Sequence, residues 1–259
     1  MLDGLYRIKN APLLPNLRHA SIQKHSVAHS CDAVHLLSCI CPPELTELSL
    51  IYPVGPTRRA LAGNELPALA SACPSVQRAA LTVDPADFSF ITLAETIVHW
   101  RRLSNLKLCV ASTKGTTTVT VVDNELLHTL SNLPALAELT VRMGGWTHQV
   151  QLRGEDLPYT FRTLRRLHIS VGDVTITKTL LEEISSPGLR ELEITTGDVA
   201  VFSDLPLSLP QQPFTASLTK LSISGNRQSG GHNIVTPGSA LLPLIHLRHL
   251  QYLLINVFG

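Results

Sequence analysis

LRRLHI at positions 164–169 and LRELEI at positions 189–194 share one frame, in which the first, fourth and sixth residues are aliphatic. In an extended chain, successive side chains point to opposite faces, so the fourth and sixth residues lie on the same face. Polar residues occupy the position between them and point the other way. The frame therefore predicts a short β-strand with one buried face and one exposed face.

The same aliphatic frame recurs along the whole chain. First anchors follow one another at intervals of 25 to 33 residues, with a mean near 29. The nine segments with this frame are 17–22, 45–50, 76–81, 103–108, 136–141, 164–169, 189–194, 218–223 and 250–255. A single hexad means little in a chain that is 44% hydrophobic, but nine at similar intervals indicate an internal repeat.

The length of the connectors predicts how the strands pair. About 20 residues separate successive strands, which is too many for a hairpin and enough for a crossover to a parallel neighbour. Units of this kind bury their apolar faces by stacking. The predicted fold class is α/β, a leucine-rich-repeat solenoid (parallel β/α horseshoe) of about nine irregular repeats.

Several connectors have helical patterns. DNELLHTLSNLPAL at 123–136 has Asp123 as a capping residue before leucines at helical spacing. TLLEEISSPGL at 179–189 offers Thr179 and Glu182 as a capping box, and TPGSALLPLIHLRHL at 236–250 places Pro237 near a helix start. By contrast, segments 145–159 and 196–213 are rich in Gly, Pro and polar residues, so we predict extended loops there.

Composition and charge argue against several classes of protein. Among 259 residues only 16% are charged, the net charge is +1, and no block of five like charges occurs. This balance predicts neither nucleic-acid binding nor attraction to an anionic membrane. The first residues lack the layout of a secretory signal, and no apolar run is long enough to span a bilayer. We expect a protein of the cytoplasm or nucleus.

One cluster could carry metal chemistry. The segment 25–41 contains the candidate ligands His25, His29, Cys31, His35, Cys39 and Cys41. Histidine and thiolate bind zinc, but the segment has no CxxC pair and no second half at zinc-finger spacing. Structural thiols and surface histidines are the favoured interpretation, so we predict no metal site and no cofactor. No spacing typical of an enzyme occurs elsewhere, and we predict that the protein is not an enzyme.

The repeats resemble those of a known family. LLPNLRHASI, PPELTELSL, LPALAELTV, FRTLRRLHI and SPGLRELEI look like the leucine-rich-repeat region of fungal F-box proteins, and CPSVQRAALTV is similar to the same repeat style. The resemblance implies a module that recognises the substrate of a cullin-type ubiquitin ligase. The F-box, which docks onto the ligase, is not recognisable in the chain. We expect residues 1–259 to form one leucine-rich-repeat domain with both ends uncapped.

The predicted register places outward side chains in columns across the sheet. The column before the middle anchors reads His19, Glu47, Arg78, Asn105, Glu138, Arg166, Glu191, Lys220 and Tyr252, with alternating charge signs from Glu47 to Lys220. This alternation is typical of cross-strand charge pairing, and a polar docking face is the functional alternative. Both can hold together.

For binding, the prediction centres on polar residues of the middle strands. The candidate partner-binding residues are Glu138, Arg142, Arg166, His168, Glu191, Glu193 and Lys220. Arginine leads because its planar group makes bidentate hydrogen bonds and is enriched at interfaces. The expected partner is a protein or a ubiquitination substrate. A different class of function, a structural scaffold that associates end to end through its open ends, also fits the repeat pattern.

Overall fold

A computed structural model of the chain describes residues 14–23, 42–51, 65–83, 90–110, 124–143, 159–172, 174–197, 201–226 and 238–258. The predicted helix cap Asp123, the residue Pro237 and the candidate zinc ligands at 25–41 lie outside them.

Strands and helices alternate along most of the chain. The strands are β1 (His19–Gln23), β2 (Glu47–Ile51), β3 (Arg78–Val83), β4 (Asn105–Val110), β5 (Glu138–Met143), β6 (Tyr159–Thr160), β7 (Arg166–Val171), β8 (Ile184–Ser185), β9 (Glu191–Thr196), β10 (Lys220–Asn226) and β11 (Tyr252–Phe258). The helices are α1 (Glu65–Ala72), α2 (Phe90–Ile97), α3 (Asn124–Ser131), α4 (Val174–Glu183) and α5 (Val201–Ser208). Three 3₁₀ segments (Leu209–Gln211, Pro213–Ala216 and Gly238–His246) complete the described elements.

The nine predicted strand segments form one parallel sheet. Its order is β1-β2-β3-β4-β5-β7-β9-β10-β11, and each strand pairs with the next one in this series. The pairing register aligns equivalent anchors, for example Leu139 with Leu167 and Leu167 with Leu192. Strands β6 and β8 form a separate two-stranded parallel pair. The protein is therefore a mixed α/β fold with a large parallel sheet, compatible with a parallel β/α solenoid.

The aliphatic anchors form the core between the sheet and the helices. Leu106, Leu167 and Leu192 are at most 1% exposed, and the other anchors from β2 to β10 are also buried. Burying a leucine side chain contributes roughly 1.5–3 kcal/mol relative to leaving it exposed. One apolar face, repeated on neighbouring strands, therefore explains why the strands lie side by side.

A short turn precedes most strands and contributes a second buried position. The anchor N–H bonds to the carbonyl three residues earlier at Leu17, Leu45, Leu103, Leu189 and Leu250, with N···O distances of 2.9 to 3.1 Å. Proline often follows the first turn residue, as in PPEL at 42–45 and SPGL at 186–189, because its fixed φ suits that position. Apart from Leu14, which is half exposed, the first turn residue packs into the core, and Trp100 fills this position with no exposed surface.

A repeated backbone contact fixes each strand on its neighbour. The carbonyl of Arg18 accepts hydrogen bonds from the N–H groups of Thr46 and Glu47, at 2.9 and 3.0 Å. The same arrangement recurs at each of the eight steps across the sheet, ending with Thr219 and its donors Gln251 and Tyr252. Two donors per carbonyl define the start of every pairing, so the register does not slip between units.

Three local predictions need correction. The segment 196–213, predicted as an extended loop, contains α5, because Val201 and Leu205 are completely buried on one face of this helix. The capping box is wrong because α4 begins at Val174, and the Thr179 hydroxyl donates to the carbonyl of Thr175 inside the helix. The last connector forms a 3₁₀ segment with an internal proline, Pro243, and not an α-helix.

The remaining predicted loop, 145–159, is described only at its last residue, Tyr159, which begins β6. Among the helices of the described ranges, none combines the length and the apolar character needed to cross a membrane.

Candidate functional site

The face of the sheet opposite the anchors carries three columns of outward side chains. The first column is the one defined above, from His19 to Tyr252. The second column contains Ser21, Ser49, Ala80, Lys107, Thr140, His168, Glu193, Ser222 and Leu254. The third column includes Thr82, Cys109, Arg142, Ser170, Thr195, Ser224 and Asn256. Most of these side chains are exposed or half-buried, so they present a broad polar surface.

Charged side chains of the first column pair across neighbouring strands. Glu47 lies between two partners: its carboxylate is 2.7 Å from Nδ1 of His19 and 2.5 Å from Nη2 of Arg78. All three side chains are at least partly exposed, so each contact is screened by solvent and contributes roughly 0.2–1 kcal/mol.

The same arrangement recurs in the middle of the first column. Glu138 accepts a hydrogen bond from Nδ2 of Asn105 at 2.5 Å and forms an ion pair with Arg166. Further along, Nζ of Lys220 lies 3.4 Å from Oε2 of Glu191 and 5.7 Å from the ring centre of Tyr252. The alternating signs of the first column are therefore used, at these positions, for pairing within the sheet.

The second and third columns have a different electrostatic character between β4 and β9. Lys107 on β4, Arg142 on β5 and His168 on β7 lie on three consecutive strands, and we call them the cationic triangle. Thr140 lies opposite both Lys107 and His168 in the register, so Arg142 is the diagonal neighbour of each. Within the described residues, neither Lys107 nor Arg142 forms an ion pair with a carboxylate.

The pKa of His168 depends on the charges around it. Burial lowers the pKa of His168 below its ordinary value of 6.5, Arg142 and Lys107 lower it further, and Glu193 opposes them. Nε2 of His168 is buried and lies 3.7 Å from Oε1 of Glu193, which is too long for a hydrogen bond. Among the described residues this nitrogen has no hydrogen-bond partner.

The seven predicted binding residues fall into two groups. Glu138, Arg166, Glu191 and Lys220 belong to the first column and form ion pairs with neighbours in that column. Arg142, His168 and Glu193 belong to the second and third columns and lie together around His168. All seven therefore lie on the same face of the sheet, between β5 and β10.

Sequence reasoning missed Lys107 as a candidate residue. It stands in the second column two strands before His168 and contributes to the electrostatic environment of the imidazole. The signal that could have found it is its position as a cation in a column otherwise dominated by Ser, Thr and Ala.

Two other features of the described ranges concern metal ions and small ligands. No group of three His, Cys, Asp or Glu side chains there could hold a metal ion. A small pocket between the sheet and helices α3 and α4 is lined only by apolar side chains, among them Leu108, Val141 and Ile184. It lies on the core side of the sheet and offers no polar group to a ligand.

No protein-family model matches the sequence, and no curated protein shows significant similarity to it.

Proposed function

We propose that the protein is a protein–protein interaction module of the leucine-rich-repeat type, which binds its partner through the outward face of the nine-stranded sheet. The observation that carries the proposal is the contrast between the two faces. Anchors on one face are buried under helices, whereas the other face presents columns of polar side chains without a covering element among the described residues.

The dimensions of this face suit a macromolecular partner. Parallel strands lie about 4.8 Å apart, so nine of them extend over roughly 40 Å. A surface of this length accommodates an extended segment of roughly ten residues or one side of a small domain. The proposal includes no catalytic step and no cofactor.

We further propose that the module recruits substrates as part of an F-box subunit of a cullin-type ubiquitin ligase. This part rests on the resemblance of the repeat phrases to the repeats of fungal F-box proteins. It is tested by purifying the tagged product of the native gene from its own cells. Co-purification of the cullin and its adaptor supports the ligase role, and their absence in the presence of other specific partners contradicts it.

The docking face itself is tested by site-specific cross-linking. A photo-reactive amino acid replaces Arg166, which is exposed in the first column, or Glu182, which is exposed on helix α4. We expect specific adducts from position 166 and few from position 182. Arg166→Glu in the unlabelled protein should leave the melting temperature nearly unchanged and reduce recovery of the same partner.

Equal cross-linking from both positions would contradict a docking face on the sheet. A partner whose affinity stays the same after charge reversal at all seven predicted residues would also contradict a docking face on the sheet.

A second candidate function, a structural scaffold, is favoured by the edge strand β11. Its middle anchor Leu253 is 44% exposed, whereas the equivalent Leu221 on β10 is fully buried. Tyr252 on the same strand is 49% exposed. An apolar edge of this kind can pair with another chain.

Light scattering over a range of protein concentrations distinguishes the scaffold from the docking module. Self-association that Leu253→Asp abolishes would support the scaffold. A constant monomeric mass would exclude it.

A further inference from the structure

We infer that the cationic triangle of Lys107, Arg142 and His168 binds an extended acidic segment of the partner protein, with carboxylates on alternate residues seated on Lys107 and Arg142. This inference rests on the proposed function, since it specifies the chemistry of the ligand that the sheet face takes.

The charges of Lys107 and Arg142 favour an acidic ligand. The first column pairs its carboxylates and cations with each other, as at Glu47 and Glu138. Lys107 and Arg142 have no such carboxylate partner among the described residues, although both lie on a face where paired charges are common. An unpaired cation pair on a partly desolvated surface favours an anionic ligand.

The spacing of Lys107 and Arg142 matches that of alternate residues in an extended peptide. Lys107 and Arg142 are diagonal neighbours on adjacent strands, because Lys107 lies opposite Thr140 and Cys109 lies opposite Arg142. Diagonal neighbours in a sheet are about 7–8 Å apart. Alternate residues of an extended peptide are about 6.6–6.8 Å apart and point to the same side. Two glutamates separated by one residue therefore match the two cations.

Polar side chains line the surface between the two cations. Thr140 and Ser170 are half-buried beside the triangle and carry hydroxyl groups that can donate to a carboxylate. The imidazole of His168 lies beside these hydroxyl groups, and its protonation depends on the charges around it. These groups add hydrogen bonds to the charge attraction.

Protonation of His168 makes ligand binding at this site depend on pH. The charged groups that influence this imidazole are Lys107 from β4, Arg142 from β5 and Glu193 from β9. The two cations and burial lower the pKa of His168, which favours the neutral ring in the free protein. A bound carboxylate would raise that pKa, so binding takes up a proton and tightens as the pH falls from neutral toward the pKa of the ring.

The experiment is a titration of the full chain with short peptides, followed by NMR signals of the Arg142 and His168 side chains at low ionic strength. The acidic probe is acetyl-Gly-Glu-Gly-Glu-Gly-amide, and its neutral match carries glutamine in place of glutamate. A third probe carries a single phosphoserine. We expect the acidic probe to shift both signals and the glutamine peptide to leave them nearly unchanged.

Variants then locate the binding site. Lys107→Gln combined with Arg142→Gln should weaken binding of the acidic probe by about tenfold or more, since two charge-assisted hydrogen bonds are lost. Arg78→Gln removes the same charge from the paired first column and should change affinity less than about twofold. If the double variant unfolds, Arg142→Gln alone tests the inference, because Arg142 is exposed and its replacement should not disturb the fold.

Three results would overturn the inference: equal shifts with the glutamine peptide, an unchanged affinity in the Arg142 variant, or tighter binding of the phosphoserine peptide than of the paired glutamates. Failure here is distinguishable from failure of the proposed function. If the peptide does not bind while cross-links still form at position 166, only the acidic ligand is wrong.

Discussion

Nε2 of His168 on β7 lies 3.7 Å from Oε1 of Glu193 on β9, and the two residues face each other in the register of the sheet. Glu193 is the group that raises the pKa of His168 against burial and against the cations Arg142 and Lys107. The protonation of the imidazole therefore depends on a carboxylate on β9, which lies on the other side of β7 from Arg142 and Lys107.

Removing this carboxylate should lower the pKa of His168 further. In Glu193→Gln, burial and the two cations act without opposition, so the neutral ring persists to lower pH than in the parent protein. An NMR titration of the His168 ring, assigned with His168→Gln, measures the change. Glu191→Gln on the same strand is the control and should have a smaller effect. An unchanged or higher pKa in Glu193→Gln would show that the 3.7 Å contact does not persist in solution.

Glu183 should limit stability at neutral pH. It is buried at the end of α4, its Oε2 has no hydrogen-bond partner among the described residues, and burial followed by Glu182 raises its pKa. Because its folded-state pKa is raised, Glu183 makes its full contribution to stability below the ordinary value of 4.5. That contribution is lost as the pH rises through the folded-state pKa.

Glu183→Gln removes this charge and should stabilise the protein near pH 7, with little gain near pH 4. Urea unfolding at the two pH values measures the difference. Glu95→Gln, at an exposed position on α2, is the matched control. A loss of stability in Glu183→Gln at pH 7 would indicate that the carboxylate has a partner which the structure does not describe.

A charge in the central core should cost far more than one at the edge of the sheet. Leu192 is 1% exposed and lies between Leu167 and Leu221 in the register, so Leu192→Asp leaves a charge without a partner there. We expect a loss of several kcal/mol and unfolding of neighbouring units. Leu17, before β1, is only partly buried, and Leu17→Asp should cost much less.

Thermal unfolding followed by circular dichroism compares the two leucine variants. Similar losses at both positions would contradict the order of units in the sheet.

The apolar pocket behind the sheet should accept an additional methylene group. Val141 on β5 lines it together with Leu126, Ile169 and Leu180. Val141→Ile should stabilise the protein by about 0.5–1 kcal/mol, because the added carbon fills empty apolar space without displacing a polar group.

Val171→Ile is the control for this change, since Val171 is buried on β7 and is not among the residues that line the pocket. It should be neutral or destabilising. Differential scanning calorimetry measures both variants. Equal effects would mean that the pocket closes in solution.

The strands and their register were predictable because the signal is local and repeated. Each unit contains the same aliphatic triplet, and side chains two residues apart share a face of a strand whatever surrounds them. Alignment of equivalent anchors, such as Leu139 with Leu167, then follows from burying every triplet in one core. The first outward column from His19 to Tyr252 was therefore predicted with its neighbours in the correct order.

Helix α5 shows where local rules failed. Segment 196–213 contains Pro206, Pro210 and Pro213, and proline inside a helix costs about 3 kcal/mol, which favoured a loop. Val201, Leu205 and Leu209 nevertheless lie at helical spacing, and all three are fully buried. Burial of three large side chains outweighs the cost of one interior proline. The helix exists because burial in the core below it offsets the cost of the proline, and the sequence does not display how completely these side chains are buried.

The strands, the parallel sheet and the residues that face outward follow from the spacing of aliphatic side chains along the chain. The pairing of outward charges is set by the fold. Glu138 and Arg166 are ion-paired, whereas Lys107 and Arg142 converge on His168 without a carboxylate between them. Such pairing depends on side-chain directions and on solvent exposure across strands that are about 30 residues apart in the chain, and no short stretch of sequence specifies either.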